Sequence, residues 1–255
     1  MKNHVFYTAG CTQAIKFAAG EMAKKGCCFA EKPDTSVTHL LLGVPSFDAD
    51  GTLKGGGRIE DILPLFDKNV TVVGGNLHTP VLAGYATIDL LQDAVYVAQN
   101  ADITAHCAVK IALQQLPVTM NGCHVLILGW GRIGKCLAAL LRKMGAVVTV
   151  AARKEADRAI LSALGYGTED ILRLDYSLLR YRLIFNTVPT PVLGKEALCF
   201  CRPDCLKIDL ASVKGMDGQD VIWARGLPGK QTPESSGALI AQTILRLCNQ
   251  KGATL

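Results

Sequence analysis

The sequence predicts an α/β protein built from two parallel sheets with helices packed on their faces. Three observations lead there. Runs such as Val125-Leu126-Ile127-Leu128 are apolar at every position instead of alternate ones, as strands covered on both faces require. Segments with apolar residues at helical spacing lie between such runs, in the strand–loop–helix alternation of parallel sheets. Apolar residues make up 49% of the 255-residue chain and charged ones only 19%, which fits large buried cores and not a disordered or coiled-coil chain.

Residues 4–8 read as a first strand, and residues 12–25 as a helix with Ile15, Ala18, Ala19 and Met22 on one face. A buried-type strand at 39–44 stops at Pro45. A Gly- and Asp-rich loop (46–57) leads to a short helix at 59–66, a strand at 70–75, a helical turn and an extended segment at 86–90. Residues 102–116 read as one helix, with Ile103, Cys107 and Ile111 on one face, Ala108, Ala112 and Leu116 beside them, and Pro117 as its stop. The second half reads as strand 124–128, helix 132–144, strand 147–152, strands at 183–187 and 206–210, and a short last strand at 221–224. An amphipathic helix at 235–250 follows. The expected division is a substrate-type domain at 1–100, a connector helix at 101–116, a second α/β domain at 117–232, and a closing helix at 233–255 that packs back on the first domain.

The net charge of +5 is mild and the basic residues are scattered. That argues against a nucleic-acid footprint and suits an anionic small-molecule substrate. No stretch reaches the ~18–20 uninterrupted apolar residues of a membrane span. Met1 to Tyr7 enters a strand directly, without the charged head and apolar centre of a secretory leader, so a cytoplasmic enzyme is expected. Of ten cysteines, Cys199, Cys201 and Cys205 crowd one segment, but three thiols without a nearby fourth ligand do not match zinc spacing. Reduced thiols and no metal are expected.

Gly129-Trp130-Gly131-Arg132-Ile133-Gly134 fits the pattern G-x-G-x-x-G, a weak signal alone because the chain holds 25 glycines. Its context is more specific. A buried strand ends directly before it, and Ile133, Cys136, Leu137, Leu140, Leu141 and Met144 form a helical apolar stripe directly after it. In such a unit the first glycine permits a tight turn, the second lets backbone N–H groups approach a pyrophosphate, and the third lets the helix pack close to the strand. The helix N-terminus adds unsatisfied donors and partial positive charge. The expected fold is thus a Rossmann-type doubly wound parallel sheet plus a smaller flavodoxin-like α/β N-terminal domain, connected by a long helix.

The end of the next strand selects the nucleotide. NAD-binding units place Asp or Glu there for the ribose 2′-hydroxyl; this chain has Ala151-Ala152-Arg153-Lys154. Arg153 can hold a 2′-phosphate bidentately and stack on adenine, and Lys154 adds a point charge. The alternative is a solvated basic turn. NADP is therefore the expected cofactor, with Ala152, Arg153 and Lys154 joining the glycine turn. Asn186-Thr187-Val188-Pro189 and Leu210-Ala211-Ser212 follow two later strands, and ligands of open α/β sheets bind outside strand carboxyl ends. They are expected to border the nicotinamide end of the same crevice.

These segments, together with Asp209-Leu210-Ala211-Ser212, Gly226-Leu227-Pro228-Gly229-Lys230-Gln231-Thr232-Pro233 and Ser235-Ser236-Gly237, resemble the A-subunit family of dipicolinate synthase. The likeness is close from residue 98 to 250 and loose before that, and the Leu-Pro-Gly-Lys stretch is its most specific element. The resemblance implies a two-domain architecture related to 2-hydroxyacid dehydrogenases and adenosylhomocysteinase. It also implies NADP-dependent oxidation of a dihydrodipicolinate-type intermediate to pyridine-2,6-dicarboxylate, the dipicolinic acid of bacterial spores. A partner comes with it, the flavoprotein-like B subunit of dipicolinate synthase, as do a role in sporulation and a place in the mother-cell cytoplasm. The connector helix departs from the family's Asn-x-x-x-Thr-x-Glu-Gly: Asn100 and Thr104 are kept, but His106 and Cys107 stand for Glu and Gly. Only Lys214-Gly215 stands where the family has two glycines.

A dicarboxylate needs cations or N–H donors. Arg58, Lys214 and Lys230, with Ser46, Asn100 and Thr104 as neutral donors, are the candidates between the domains. Hydride loss from a dihydropyridine-like ring leaves a proton to be taken, and imidazole is suited to that near neutrality. His106 is the candidate base, with Lys230 and Asn100 as further catalytic candidates. The alternatives are a His106 that merely caps or half-buries on its helix and a Lys230 that is a solvated turn lysine. Two other functions stay open: an NADP-dependent dehydrogenase of shikimate or methylenetetrahydrofolate type, for which no fitting Lys/Asp or Tyr/Lys pair is found, and a non-catalytic NADP-binding module. Homo-oligomerisation also stays open.

Overall fold

The computed structural model describes residues 4–252 and contains two compact units, one of the residues up to Asn100 with those from Pro228 on, the other Ala101–Leu227. The chain opens with β1 (Val5–Thr8), α1 (Gln13–Lys24), β2 (Cys28–Phe29), β3 (His39–Leu41), α2 (Ile59–Ile62), β4 (Thr71–Gly74) and β5 (Ala86–Asp89). A long helix, α3 (Ala94–Gln115), carries it into the second unit. There follow β6 (His124–Leu128), α4 (Arg132–Lys143), β7 (Val147–Ala152), α5 (Glu155–Ala163), β8 (Gly167–Asp170) and β9 (Leu183–Asn186). Then come α6 (Lys195–Leu198), β10 (Leu206–Asp209), β11 (Val221–Trp223), the short α7 (Leu227–Gln231) and α8 (Pro233–Gly252).

Both sheets are parallel throughout. The first unit has the order β2-β1-β3-β4-β5, a flavodoxin-like arrangement, and the second β11-β10-β9-β6-β7-β8, the doubly wound Rossmann order. This is the fold class the sequence predicts. In the second sheet alternate residues serve opposite faces. Val125 and Ile127 join an apolar cluster with Ala108, Leu137 and Leu141, whereas Leu126 and Leu128 join another with Leu178, Tyr181 and Ile184. Burial on both sides is why β6 shows no polar alternation. Each such side chain contributes roughly 1.5–3 kcal/mol by leaving water.

In the first unit Leu40, Leu42 and Val72 pack with Ile59 and Leu63. There α1 starts at Thr12, whose Oγ1 accepts the N–H of Ile15 at 3.3 Å, and α8 packs along it. No described helix is long and apolar enough to cross a membrane.

Several elements depart from the sequence reading. The helix α3 starts at Ala94, well before residue 102. Asp93 caps it: Oδ1 accepts the N–H of Tyr96 at 2.7 Å and the guanidinium of Arg246 on α8 at 2.6 Å. The β-prone run Val95-Tyr96-Val97 hides this start. β2 and β8 are edge strands paired on one side, and Gly167-Thr168-Glu169-Asp170 has no apolar pattern to betray it. The Leu-Pro-Gly-Lys stretch, where a solvated turn was the alternative for Lys230, lies in α7, with Pro228 in its first turn, where a missing N–H costs nothing.

Candidate functional site

β6, β7 and β9 end at one edge of the second sheet. The chain passes from β6 to β7 on one side, and β9 pairs with β6 on the other. Loops leaving such a switch point diverge and open a crevice. A cleft of about 580 Å³ lies there, within the size range of small-molecule sites. Its walls include Gly129 and Trp130 after β6, Arg153 and Lys154 after β7, and Val188 and Thr190 after β9. Ile171, Leu172 and Leu174 after β8, with Leu193 and Ala197, give it an apolar side.

The three glycines of the turn differ in what surrounds them. Gly129 has φ 101°, in the left-handed region, and a Cβ there would meet Thr187 Oγ1 at 2.7 Å and Val188 Cγ2 at 2.8 Å. A Cβ on Gly134, in the first turn of α4, would run into the Gly129 carbonyl. Gly131, the N-cap of α4, has nothing within 4 Å of where its Cβ would stand. The outer two answer to the protein's own packing. The middle one faces open space at a helix end whose first N–H groups lack intrahelical partners and whose first turn holds no acidic residue.

At the end of β7, Arg153 and Lys154 are exposed and enter no ion pair among the described residues. Arg158, on α5, folds back beneath them. Its Nη1 donates to the carbonyls of Ala152 (2.8 Å) and Arg153 (3.0 Å), and its Nη2 lies 3.6 Å from Asp170. Asp157, one residue earlier on α5, forms part of the cleft wall. Trp130 packs edge-on to Tyr166 at 6.0 Å, with Lys135 Nζ 5.7 Å above its ring.

The loops after β9 and β10 correct one expectation. Asn186 is fully buried, and its amide donates to Asp209 Oδ1 (3.0 Å) and the Val188 carbonyl (3.1 Å) while accepting from the Val188 N–H (3.0 Å). Asp209, equally buried, also accepts from the N–H groups of Ala211 (3.0 Å), Gly215 (2.7 Å) and Met216 (3.0 Å). Asn186 therefore fastens two loops to each other, with both amide hydrogens engaged, and it does not line the cleft. Thr187 ties itself to the end of β6 through the Leu128 carbonyl at 2.9 Å. Leu210 and Ala211 are buried, Pro189 and Ser212 are exposed, and none of these four lines the cleft. Arg132, Ile133 and Gly134 lie in α4 behind the turn and do not line it either.

The substrate and catalytic candidates are divided between the two units. Ser46 is wholly buried, donating to the Gly43 carbonyl (2.8 Å) and accepting from the Gly75 N–H (3.0 Å), so it braces the ends of β3 and β4. Arg58 is exposed beside Glu60 at 3.8 Å, Lys230 is exposed on α7, and Lys214 donates to the Gly218 carbonyl at 3.2 Å. On α3, Asn100 and Thr104 lie about 40° apart, whereas His106 is turned about 120° from the first and about 160° from the second. His106 stands exposed, 3.9 Å from Asp102. One bound molecule cannot meet all three through the same face of that helix.

The thiol segment lies outside the cleft. Cys201 and Cys205 sit in an apolar cluster, where a hydrogen bond between them lowers the Cys201 thiol and raises that of Cys205. Among the described residues no group of three or more His, Cys, Asp or Glu side chains is placed to hold a metal ion. The residues that sequence reasoning missed are Asp157, Arg158 and the apolar side of the cleft. Only the acidic start of α5 offered a signal for them.

No protein-family model matches the chain. A stretch of 156 residues, 58% of the chain, is 29% identical to the A subunit of dipicolinate synthase from Bacillus subtilis (strain 168), and the match spans 52% of that protein, about half its length. Among solved structures, that of the dipicolinate synthase A subunit from Bacillus subtilis has a TM-score of 0.84 at 20% identity, covering 100% of this chain and 99% of that one. The corresponding structure from Bacillus halodurans gives 0.81 at 20% identity over 96% and 98%. A transhydrogenase from Sinorhizobium meliloti gives 0.74 at 15% identity over 97% and 85%. The structural likeness establishes a shared fold of two parallel-sheet α/β domains, and both comparisons find the chain similar to the A subunit of dipicolinate synthase.

Proposed function

We propose that the chain binds NADP(H) in the cleft of its second unit and acts as the A subunit of an oxidoreductase that forms dipicolinate. The observation that carries the cofactor reading is the end of β7. The two residues directly after the strand are not carboxylates but the cations Arg153 and Lys154, which line the cleft and enter no ion pair among the described residues. The other residues fit the same molecule. The open side of Gly131 and the N-terminus of α4 suit a pyrophosphate, and the apolar side with Ile171 and Leu174 suits an adenine. Arg153 and Lys154 would then hold the 2′-phosphate.

When bound, the nicotinamide supplies the hydride acceptor for oxidation of a dihydropyridine dicarboxylate. Arg58, Lys214 and Lys230 are the exposed cations proposed to attract the two carboxylates. Asn100 and Thr104, sharing one face of α3, are proposed as neutral donors, and the position of His106 favours a surface pair with Asp102 over a role as base. Similarity to a protein named as one subunit of dipicolinate synthase supports a partner. That partner is proposed to be the flavoprotein-like B subunit, and with it come a role in sporulation and a place in the mother-cell cytoplasm.

The chain is to be mixed with that partner, freshly prepared dihydrodipicolinate and NADP⁺. Near-ultraviolet absorbance of pyridine-2,6-dicarboxylate is the expected outcome. Absence of product from a preparation that binds NADPH overturns the reaction and leaves the cofactor reading standing. A second reading, NAD(H), is favoured by Asp157, a cleft carboxylate able to accept a ribose 2′-hydroxyl. Relative affinity for the two nucleotides decides between them.

A further inference from the structure

We infer that Arg158 sets the specificity of the cleft for a 2′-phosphate, as a positioning residue and not as a ligand. The inference rests on the reading of Arg153 and Lys154 as the phosphate-binding pair. A cation near the N-terminus of a helix sits at the positive end of the helix dipole, where it is disfavoured. Arg158 occupies such a place on α5 and is nonetheless held in three directions at once. Its Nη1 donates to the carbonyls of Ala152 and Arg153 at 2.8 and 3.0 Å, and its Nη2 faces the Asp170 carboxylate at 3.6 Å. Only a planar guanidinium fork reaches two successive carbonyls and a carboxylate together, which the single point of a lysine does not.

This has two effects on the neighbouring cations. The carbonyls of Ala152 and Arg153 belong to the peptide groups on either side of Arg153. Fixing both fixes the backbone of Arg153 and the N–H side of Lys154, hence the directions in which the two side chains leave the turn. The second effect concerns charge. Asp170 ends β8 and is the register partner of Ala152, directly beside the turn. Its Oδ1 accepts the N–H of Leu172 at 3.0 Å and its Oδ2 pairs with the Arg158 charge at 3.6 Å. Arg158 thereby occupies the acid of the adjoining strand that would otherwise compete with a phosphate for Arg153. A cleft that selects the 2′-phosphate needs its cations unpaired, and among the described residues Arg153 and Lys154 enter no ion pair.

The test compares dissociation constants of NADPH and NADH, read by tryptophan fluorescence on the whole chain. The variants are Arg158→Ala, Arg158→Lys and the double Arg158→Ala/Asp170→Asn, with Arg153→Glu as reference. Arg158→Ala is expected to weaken NADPH about tenfold or more and NADH less than about threefold. Arg158→Lys should fall between wild type and alanine, and adding Asp170→Asn should recover part of the NADPH loss. Equal weakening of both nucleotides, or none, overturns the inference, since a mere brace of the fold would not move their ratio. Should Arg158→Ala fail to fold, the lysine variant decides by the same ratio. If Arg153→Glu leaves the ratio unchanged, the phosphate reading fails and this inference with it. A ratio that moves with Arg153→Glu but not with the Arg158 variants removes the present inference alone.

Discussion

Gly131 and Gly134 belong to one motif, yet their surroundings assign them different duties that substitution separates. A methyl group on Gly134 would press on the Gly129 carbonyl, so Gly134→Ala is expected to cost about 1–3 kcal/mol of stability along with nucleotide affinity. Gly131→Ala meets only open space. It should cost no more than about 1 kcal/mol, the penalty of an alanine N-cap, while weakening NADPH about tenfold. Denaturant unfolding and nucleotide titration of both variants check this; equal destabilisation would contradict it. Asp209 offers a different case, a buried carboxylate accepting from three backbone N–H groups and one amide. Asp209→Ala is expected to cost about 3–5 kcal/mol in equilibrium unfolding, because every one of those donors is left unsatisfied in the interior. A loss below about 1 kcal/mol would show that water reaches them. The roles of Asn186 and Ser46 were misjudged from sequence for this reason. A polar residue just past a strand reads as ligand-facing until the fold brings it a partner far along the chain.

Among the elements, α3 is held by a contact that no local pattern announces. Burial raises the Asp93 carboxyl, but the Tyr96 N–H and the Arg246 guanidinium outweigh it, and the group is held below the ordinary carboxylate range. A lowered folded value means that this stabilisation is present above the unfolded pKa of about 3.9 and is lost as pH falls through the folded one. Asp93→Ala is therefore expected to cost about 1–2 kcal/mol at pH 7, with the gap to wild type shrinking below about pH 4. A penalty unchanged in acid would contradict this origin. β6, α4 and β7 were legible because everything that defines them is local: two-sided apolar runs, a glycine turn and a helical stripe. β8 is an edge strand of small and polar residues without apolar alternation, and α5 is only nine residues long and buries one side chain, Leu161. The cations after β7 were legible for the same local reason. Arg158 was not, because its partners Ala152, Arg153 and Asp170 meet it only after the strand, turn and helix have formed.

For the molecule as a whole, strand–helix alternation was enough to predict two parallel sheets, since crossovers between parallel strands are right-handed and short. Each sheet has its order reversal, between β1 and β3 in the first unit and between β6 and β9 in the second. The second reversal holds the cleft, which Gly129, Trp130, Arg153, Lys154 and Val188 line. The substrate candidates were less legible, because helical phase sends His106 away from Thr104 and burial commits Ser46 to the backbone. The proposed function therefore turns on which nucleotide the cleft binds. The most direct test is the ratio of NADH to NADPH dissociation constants for the wild-type chain and for Arg153→Glu. Wild type is expected to bind NADPH at least about tenfold more tightly than NADH, and Arg153→Glu to abolish or reverse that preference. Equal affinities in the wild type, or a loss in Arg153→Glu that falls equally on both nucleotides, would contradict it.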